Sequence, residues 1–126
     1  MLIAIALGSA TMLFVPVLQN TGGGLSPDGA VMLINREKAV VVDVCEAEEF
    51  AAGHVGGAKN VPLNQLEDKL AAAVKNKTLP LILVCQTGAR SARAVAIAKK
   101  LGYENTRSMQ GGLKAWQTAS LQVEKS

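Results

Sequence analysis

The sequence predicts an α/β domain with a central parallel sheet and helices on both faces. Three observations carry this expectation. Ala39 to Val44 (AVVVDV) and Leu79 to Val84 (LPLILV) are short runs, apolar on both faces, as strands covered on both sides read. Amphipathic stretches with helix-capping residues lie before, between and after them, which makes strand and helix alternate. Of the 126 residues, 49% are apolar and only 3% aromatic, so the core is built from Ala, Val, Leu and Ile. That length supports one core plus some extra chain. Ordinary glycine content, no heptads and two cysteines exclude collagen-like, coiled-coil and disulfide-scaffold classes.

Residues 1–20 form an apolar segment, expected to be a helix. Met1 to Leu18 (MLIAIALGSATMLFVPVL) is interrupted only by Gly8, Ser9, Thr11 and Pro16. Its residues from Leu2 span roughly 26 Å as a helix, slightly short of a ~30 Å hydrocarbon core. A signal peptide wants a positive region before the apolar run, and a buried helix wants burial all round because no polar face recurs at helical spacing. The segment Leu2 to Leu18 is therefore expected to be a membrane anchor, with those two readings as its alternatives. Arg36 and Lys38 follow it, which orients the domain toward the cytoplasm. Residues 21–25 (TGGGL) read as a flexible Gly-rich linker, and the folded domain is expected over residues 26–118.

Ser26 and Pro27 supply an N-cap and a first-turn proline, and Ala30, Val31, Leu33 and Ile34 an apolar face, so a short helix follows. After the first strand, Glu46, Glu48 and Glu49 favour a helix start by meeting its positive end, and Gly53 closes it. Val61 to Leu63 is a brief extended piece. Asn64 with Glu67 resembles a capping box, predicting a helix to about Lys75. A last long helix is expected from Ser91 to Leu101, with Lys99 and Lys100 in its final turn and Gly102 after it. Gln117 onward is polar and without a motif, and residues 119–126 are expected to be a tail that frays.

In parallel sheets, ligands sit at the carboxyl ends of the strands. That rule points at Cys85, which ends the second buried run and is followed by Gln86-Thr87-Gly88-Ala89-Arg90-Ser91 before a helix. A turn this short aims backbone N–H groups inward, and with the helix N-terminus they form an anion-binding concavity around the sulfur. Gly88 permits a close approach or an unusual backbone angle, Arg90 adds a cation, and Ser91 or Thr87 caps unpaired donors. A thiolate so placed has a lowered pKa and is a nucleophile at neutral pH. The bland alternative is an inert buried cysteine.

Val41 to Leu63 (VVDVCEAEEFAAGHVGGAKNVPL) resembles the first signature of rhodanese-homology domains, and Cys85 to Ala94 (CQTGARSARA) their active-site loop. Met109 to Trp116 (MQGGLKAW) is similar to their closing motif. The resemblance implies a rhodanese-like three-layer α/β domain with Cys85 as catalytic residue. It implies further that the residues Gln86 to Ser91, Arg90 among them, hold the anionic sulfur donor. The expected activity is thiosulfate sulfurtransfer: a sulfane sulfur passes from thiosulfate or a persulfide donor, through a Cys85 persulfide, to cyanide, a thiol or a sulfur-accepting protein. The related dual phosphatases have one more residue between cysteine and arginine, so this shorter loop should be too tight for a phosphate ester. No cofactor or metal ligand set is expected.

Cys45 stands where the family commonly has Arg, which puts that residue's usual ion pair in doubt. It is either a small apolar filler or, if the two cysteine-bearing strands are neighbours, a thiol able to resolve a Cys85 persulfide. His54 is expected to be structural rather than a base, Asp43 a buried acceptor and Trp116 a core residue. Charge is uneven: residues 1–27 carry none, residues 28–58 net −4, and the rest, with eleven bases against four acids, net +7. No recognition motif or aromatic stripe suggests nucleic acid, and the basic half suits encounter with sulfur anions. Two other functions stay open, a noncatalytic binding module and a thiol-redox switch.

Overall fold

The computed structural model describes residues 24–125. The apolar segment and most of the linker, Met1 to Gly23, lie outside the described residues, as does Ser126. Among the described residues no helix is long and apolar enough to cross a membrane.

Among the described residues, seven strands and five α-helices follow in the order β1 (Gly24–Leu25), α1 (Pro27–Glu37), β2 (Val40–Asp43), α2 (Ala47–Ala52), β3 (His54–Val55), β4 (Lys59–Asn60), α3 (Leu66–Ala73), β5 (Leu81–Val84), α4 (Ala89–Lys100), β6 (Thr106–Met109), α5 (Gly112–Thr118) and β7 (Val123–Glu124). Five strands form a parallel sheet in the order β1-β6-β5-β2-β4. β5 sits at its centre and is wholly buried, which is why its sequence is apolar on both faces.

Alternate residues of the central strands feed two cores. Val42, Val44, Leu81, Leu83 and Cys85 pack with Leu66 and Leu70 of α3, Ala94 and Ala98 of α4, and Tyr103. Val41, Ile82, Val84 and Met109 pack on the other face with Ala30 of α1, Leu113 and Trp116 of α5, and Val55. The three layers expected from the sequence are present. The one polar end of Tyr103 donates to the Val74 carbonyl at 2.5 Å, so its burial leaves no orphaned hydroxyl.

Local signals set most boundaries. Ser26 caps α1 through a hydrogen bond from the Gly29 amide. Glu46 and Glu49 form a reciprocal capping box at α2, and Gly53 ends that helix. Elsewhere the structure differs from the expectation. Asn64 does not cap α3: the chain enters through a 3-10 turn at Leu63–Gln65, with the Leu63 amide tied to the Val44 carbonyl, and the helix ends at Ala73. The strand near Val61 is Lys59–Asn60, pinned to Val42 and Asp43. α4 begins at Ala89, two residues early, because Gly88 at φ +109° turns the chain directly into the helix.

Both ends of the domain also depart from the reading. Gly24 and Leu25, expected as linker, pair with Ser108 and Met109 as an edge strand. The tail expected to fray instead returns across the domain: Val123 and Glu124 pair antiparallel with Val55 and His54, and Trp116 donates its indole N–H to the Gln122 carbonyl at 2.7 Å. A largely polar sequence conceals this because the strand pairing uses backbone groups, with Leu121 and Val123 alone adding apolar contact to the core. Ending the chain at Ser120 leaves the buried indole N–H without its partner and uncovers Val55. Thermal unfolding is expected to show a loss of about 2 kcal/mol and a midpoint about 10 °C lower; an unchanged midpoint refutes the structural role of the tail.

Candidate active site

Where β5 ends, the chain leaves a fully buried strand and must turn immediately, which puts Cys85 at the floor of the turn with 1% of its surface exposed. The Gly88 amide donates to its sulfur at 3.0 Å and the Ser91 amide at 3.3 Å. The Ser91 hydroxyl lies 3.6 Å from the sulfur, 3.1 Å from the Gly88 carbonyl and 2.9 Å from the Ser108 hydroxyl. Its single proton faces the carbonyl while Cys85 is a thiol that donates to Ser91 Oγ. Once the sulfur is ionised the same proton serves the thiolate, and the Ser108 hydroxyl can donate to Ser91 in turn. Burial pushes the Cys85 pKa up, but hydrogen bonds from the Ser91 hydroxyl and from the Ser91, Gly88 and Thr87 amides outweigh it, so the thiol ionises below its ordinary range. Ser108, on the neighbouring β6, had no signal in the sequence that tied it to the loop.

The loop is braced from behind by the segment containing Gly111 and Gly112, at φ +75° and +60°. The Leu113 amide donates to the Cys85 carbonyl at 2.8 Å and the Lys114 amide to the Gln86 carbonyl at 3.2 Å. A β-carbon on Gly112 would lie 2.3 Å from the Cys85 carbonyl oxygen and 2.7 Å from the Gln86 carbonyl. The glycines of the MQGGLKAW motif thus let α5 start in contact with the backbone of the Cys85 loop.

The residues expected to hold a donor are divided by the fold. Gln86 is half-buried, and Gly88 and Ser91 contribute donors to the sulfur. Ala89, Arg90 and Ser91 belong to the first turn of α4 rather than to a loop. Exposed Thr87 borders two adjoining cavities: one of about 650 Å³ with Pro27, Gly111, Lys114, Ala115, Thr118 and Ala119, the other of about 220 Å³ along Gly88, Ala92 and Ser108. Arg90 does not face the sulfur as a free cation. Its two terminal nitrogens donate to both carboxylate oxygens of Glu49, at 2.7 and 3.0 Å. That pairing, with the Glu46 amide also donating to Glu49, holds the Glu49 carboxyl down at about 2 and raises Arg90.

Cys45 offers no cation, and Glu49 finds its partner on α4 instead. The condition on which a resolving role for Cys45 rested, two neighbouring strands, holds, since β2 pairs with β5 up to Asp43 and Val84, and both cysteines are free and buried. Burial and then the Asp43 charge push the Cys45 thiol up to about 12, so it stays protonated beside an ionisable Cys85. Asp43 accepts from the Cys45 amide at 2.8 Å, and Asn60 donates to the carbonyls of Asp43 and Cys45. Burial raises the Asp43 pKa. His54 stacks on Phe50 with 3.7 Å between ring centroids, and its Nδ1 lies 2.7 Å from the Phe50 carbonyl, so it acts in packing.

Gly112→Ala is expected to destabilise by more than about 3 kcal/mol and to disorganise the loop, whereas Gly57→Ala, at φ +81° with open space around it, loses about 1 kcal/mol from backbone strain alone. Equal melting points for the two variants refute the bracing role. Ser91→Ala removes the hydroxyl from the thiolate, so the pH at which iodoacetamide alkylation of Cys85 reaches half its maximum moves up toward that of an ordinary thiol. A downward or absent shift contradicts the hydrogen-bonding account.

The rhodanese-like domain family model matches residues 26–119. Among similar proteins, the thiosulfate sulfurtransferase GlpE of Pseudomonas putida strain GB-1 is 35% identical over 92 residues, which cover 73% of this chain and 82% of that protein. The uncharacterized protein YqhL of Bacillus subtilis is 39% identical over 79 residues, 63% of this chain and 61% of its own length. A solved structure described as rhodanese with anions from E. coli superposes with a TM-score of 0.62 at 30% identity, covering 70% of this chain and 99% of that one. A rhodanese-related protein from Thermoplasma volcanium shares the fold at a TM-score of 0.72 and 24% identity, over 82% of this chain and 98% of that one. The first and last signatures both meet the Cys85 to Ala94 segment, through Glu49 on Arg90 and through the Leu113 and Lys114 amides, and the family model spans all three; the chain belongs to the rhodanese-like domain family.

Proposed function

We propose that this protein is a sulfurtransferase that carries sulfane sulfur on Cys85. The observation that supports this most directly is the set of donors converging on the Cys85 sulfur, two amides and a hydroxyl within 3.6 Å. These groups hold a negative charge on sulfur without a separate base. The Cys85 thiolate attacks the outer sulfur of thiosulfate; the bond between the two donor sulfurs breaks and its electron pair leaves with sulfite. The product is a Cys85 persulfide anion, whose charge the same amides can hold. A thiolate or cyanide then attacks the outer sulfur, carries it away as a persulfide or thiocyanate, and returns Cys85 to a thiolate. Electrons and charge balance in both halves, so neither an oxidant nor a cofactor enters.

The four residues between Cys85 and Arg90 support sulfur over phosphoryl chemistry. The name borne by the Pseudomonas relatives, thiosulfate sulfurtransferase, supports thiosulfate as a donor. A single-nucleophile mechanism also fits a Cys45 that stays protonated. The proposal includes a tether: the uncharged run from Leu2 to Leu18, followed by Arg36 and Lys38, would hold the domain at the cytoplasmic face of a membrane.

Incubation with thiosulfate is expected to add one sulfur atom to the intact mass of the wild type, with an equivalent of sulfite released. Cys85→Ser should do neither, and Cys45→Ser should do both. A wild-type mass unchanged by thiosulfate and by every persulfide donor defeats the sulfurtransferase reading.

A further inference from the structure

Arg90 is the one cation between Cys85 and Ser91, and its charge is already engaged. The Glu49 carboxylate meets it side-on through both oxygens, with the two side chains only 35% and 34% exposed. Glu49 is itself held, because its Oε1 accepts the Glu46 amide at 3.0 Å and so belongs to the capping box of α2. The guanidinium is thereby fixed against a second element and its charge offset, close enough to Cys85 for the charge on that sulfur to act on it. Other cations nearby are exposed: Arg93 lies further along α4, and Lys114 borders the larger cavity beyond Thr87.

A site built this way offers many N–H donors but little net positive charge. Hydrogen bonding favours any sulfur anion, whereas Coulomb attraction to a free arginine would reward a doubly charged donor over a singly charged one. We propose that Glu49 is a positioning residue that sets donor selectivity: by clamping and neutralising Arg90 it favours singly charged sulfane donors, persulfide or thiosulfonate anions, over doubly charged thiosulfate. This rests on the sulfurtransferase reading above. Both donors react through balanced steps. Thiosulfate passes its outer sulfur to the Cys85 thiolate and releases sulfite, and a thiosulfonate does the same and releases sulfinate.

The test compares kcat/KM for thiosulfate and for methanethiosulfonate, with cyanide as the common acceptor, in the wild type and in Glu49→Gln. Glutamine at this helical position retains the capping box, and melting curves confirm that the variant folds. The ratio of thiosulfate to thiosulfonate efficiency should rise about fivefold in Glu49→Gln, chiefly through KM, and the rise should shrink at high salt. Arg90→Met leaves the Glu49 charge unopposed and should move the ratio the other way. A ratio that stays constant in both folded variants, or falls in Glu49→Gln, overturns the selectivity role while leaving the sulfurtransferase reading intact. If neither donor loads Cys85 in the wild type, both proposals fall together.

Discussion

The loop that surrounds the Cys85 sulfur depends on one close packing of backbone on backbone, Gly112 against the carbonyls of Cys85 and Gln86. A β-carbon at that glycine would sit 2.3 Å from the Cys85 oxygen, so α5 reaches the loop only because the side chain is absent. From that contact the amides of Leu113 and Lys114 take up the two carbonyls and orient the peptide groups that follow. Peptide planes are rigid, so fixing the carbonyls behind the loop helps direct its N–H groups toward the sulfur. Gly88 completes the turn at a positive φ, and α4 starts at once.

The sulfur owes its chemistry to short-range dipoles rather than to the net charge of the chain. Residues after Lys59 carry a marked excess of positive charge, yet the arginine nearest the thiol is paired with Glu49. Charge spread over the surface acts on encounter and is screened by salt, whereas amides buried with the sulfur act at contact distance. The two cysteines show the same distinction. Cys45 and Cys85 end adjacent strands in similar burial, but Cys45 faces the Asp43 carboxylate while Cys85 faces donors, and their thiols shift in opposite directions.

Much of the molecule could be read along the chain. The runs at Ala39 and Leu79 contain the two central strands, because residues covered on both faces must be apolar at every position. The caps at Ser26 and Gly53 act where they were expected, since capping involves neighbours within a turn, whereas Glu46, expected inside the first turn of α2, is its N-cap. Asn64 failed because Pro62 and the Leu63 amide bond to Val44 shaped the approach to α3 before any cap could form. The ends were misread for a related reason. Gly24–Leu25 and Val123–Glu124 are strands by virtue of their partners, and a two-residue strand has no periodicity to detect.

By itself the sequence determined the class of fold, the position of Cys85 at the end of a buried strand, and the family, through three motifs in order. Each depends on local pattern: alternation, capping and a short loop that leaves the chain few ways to turn. Tertiary structure alone decided who meets that loop. Glu49 reaches Arg90 across 41 positions, Ser108 reaches Ser91 across 17, and Gly112 lies against the backbone of Cys85 and Gln86. Such contacts arise when parallel crossovers bring remote segments to the end of the sheet where the strands finish, and a carboxylate, a hydroxyl or a glycine carries no local mark of the partner it will find there.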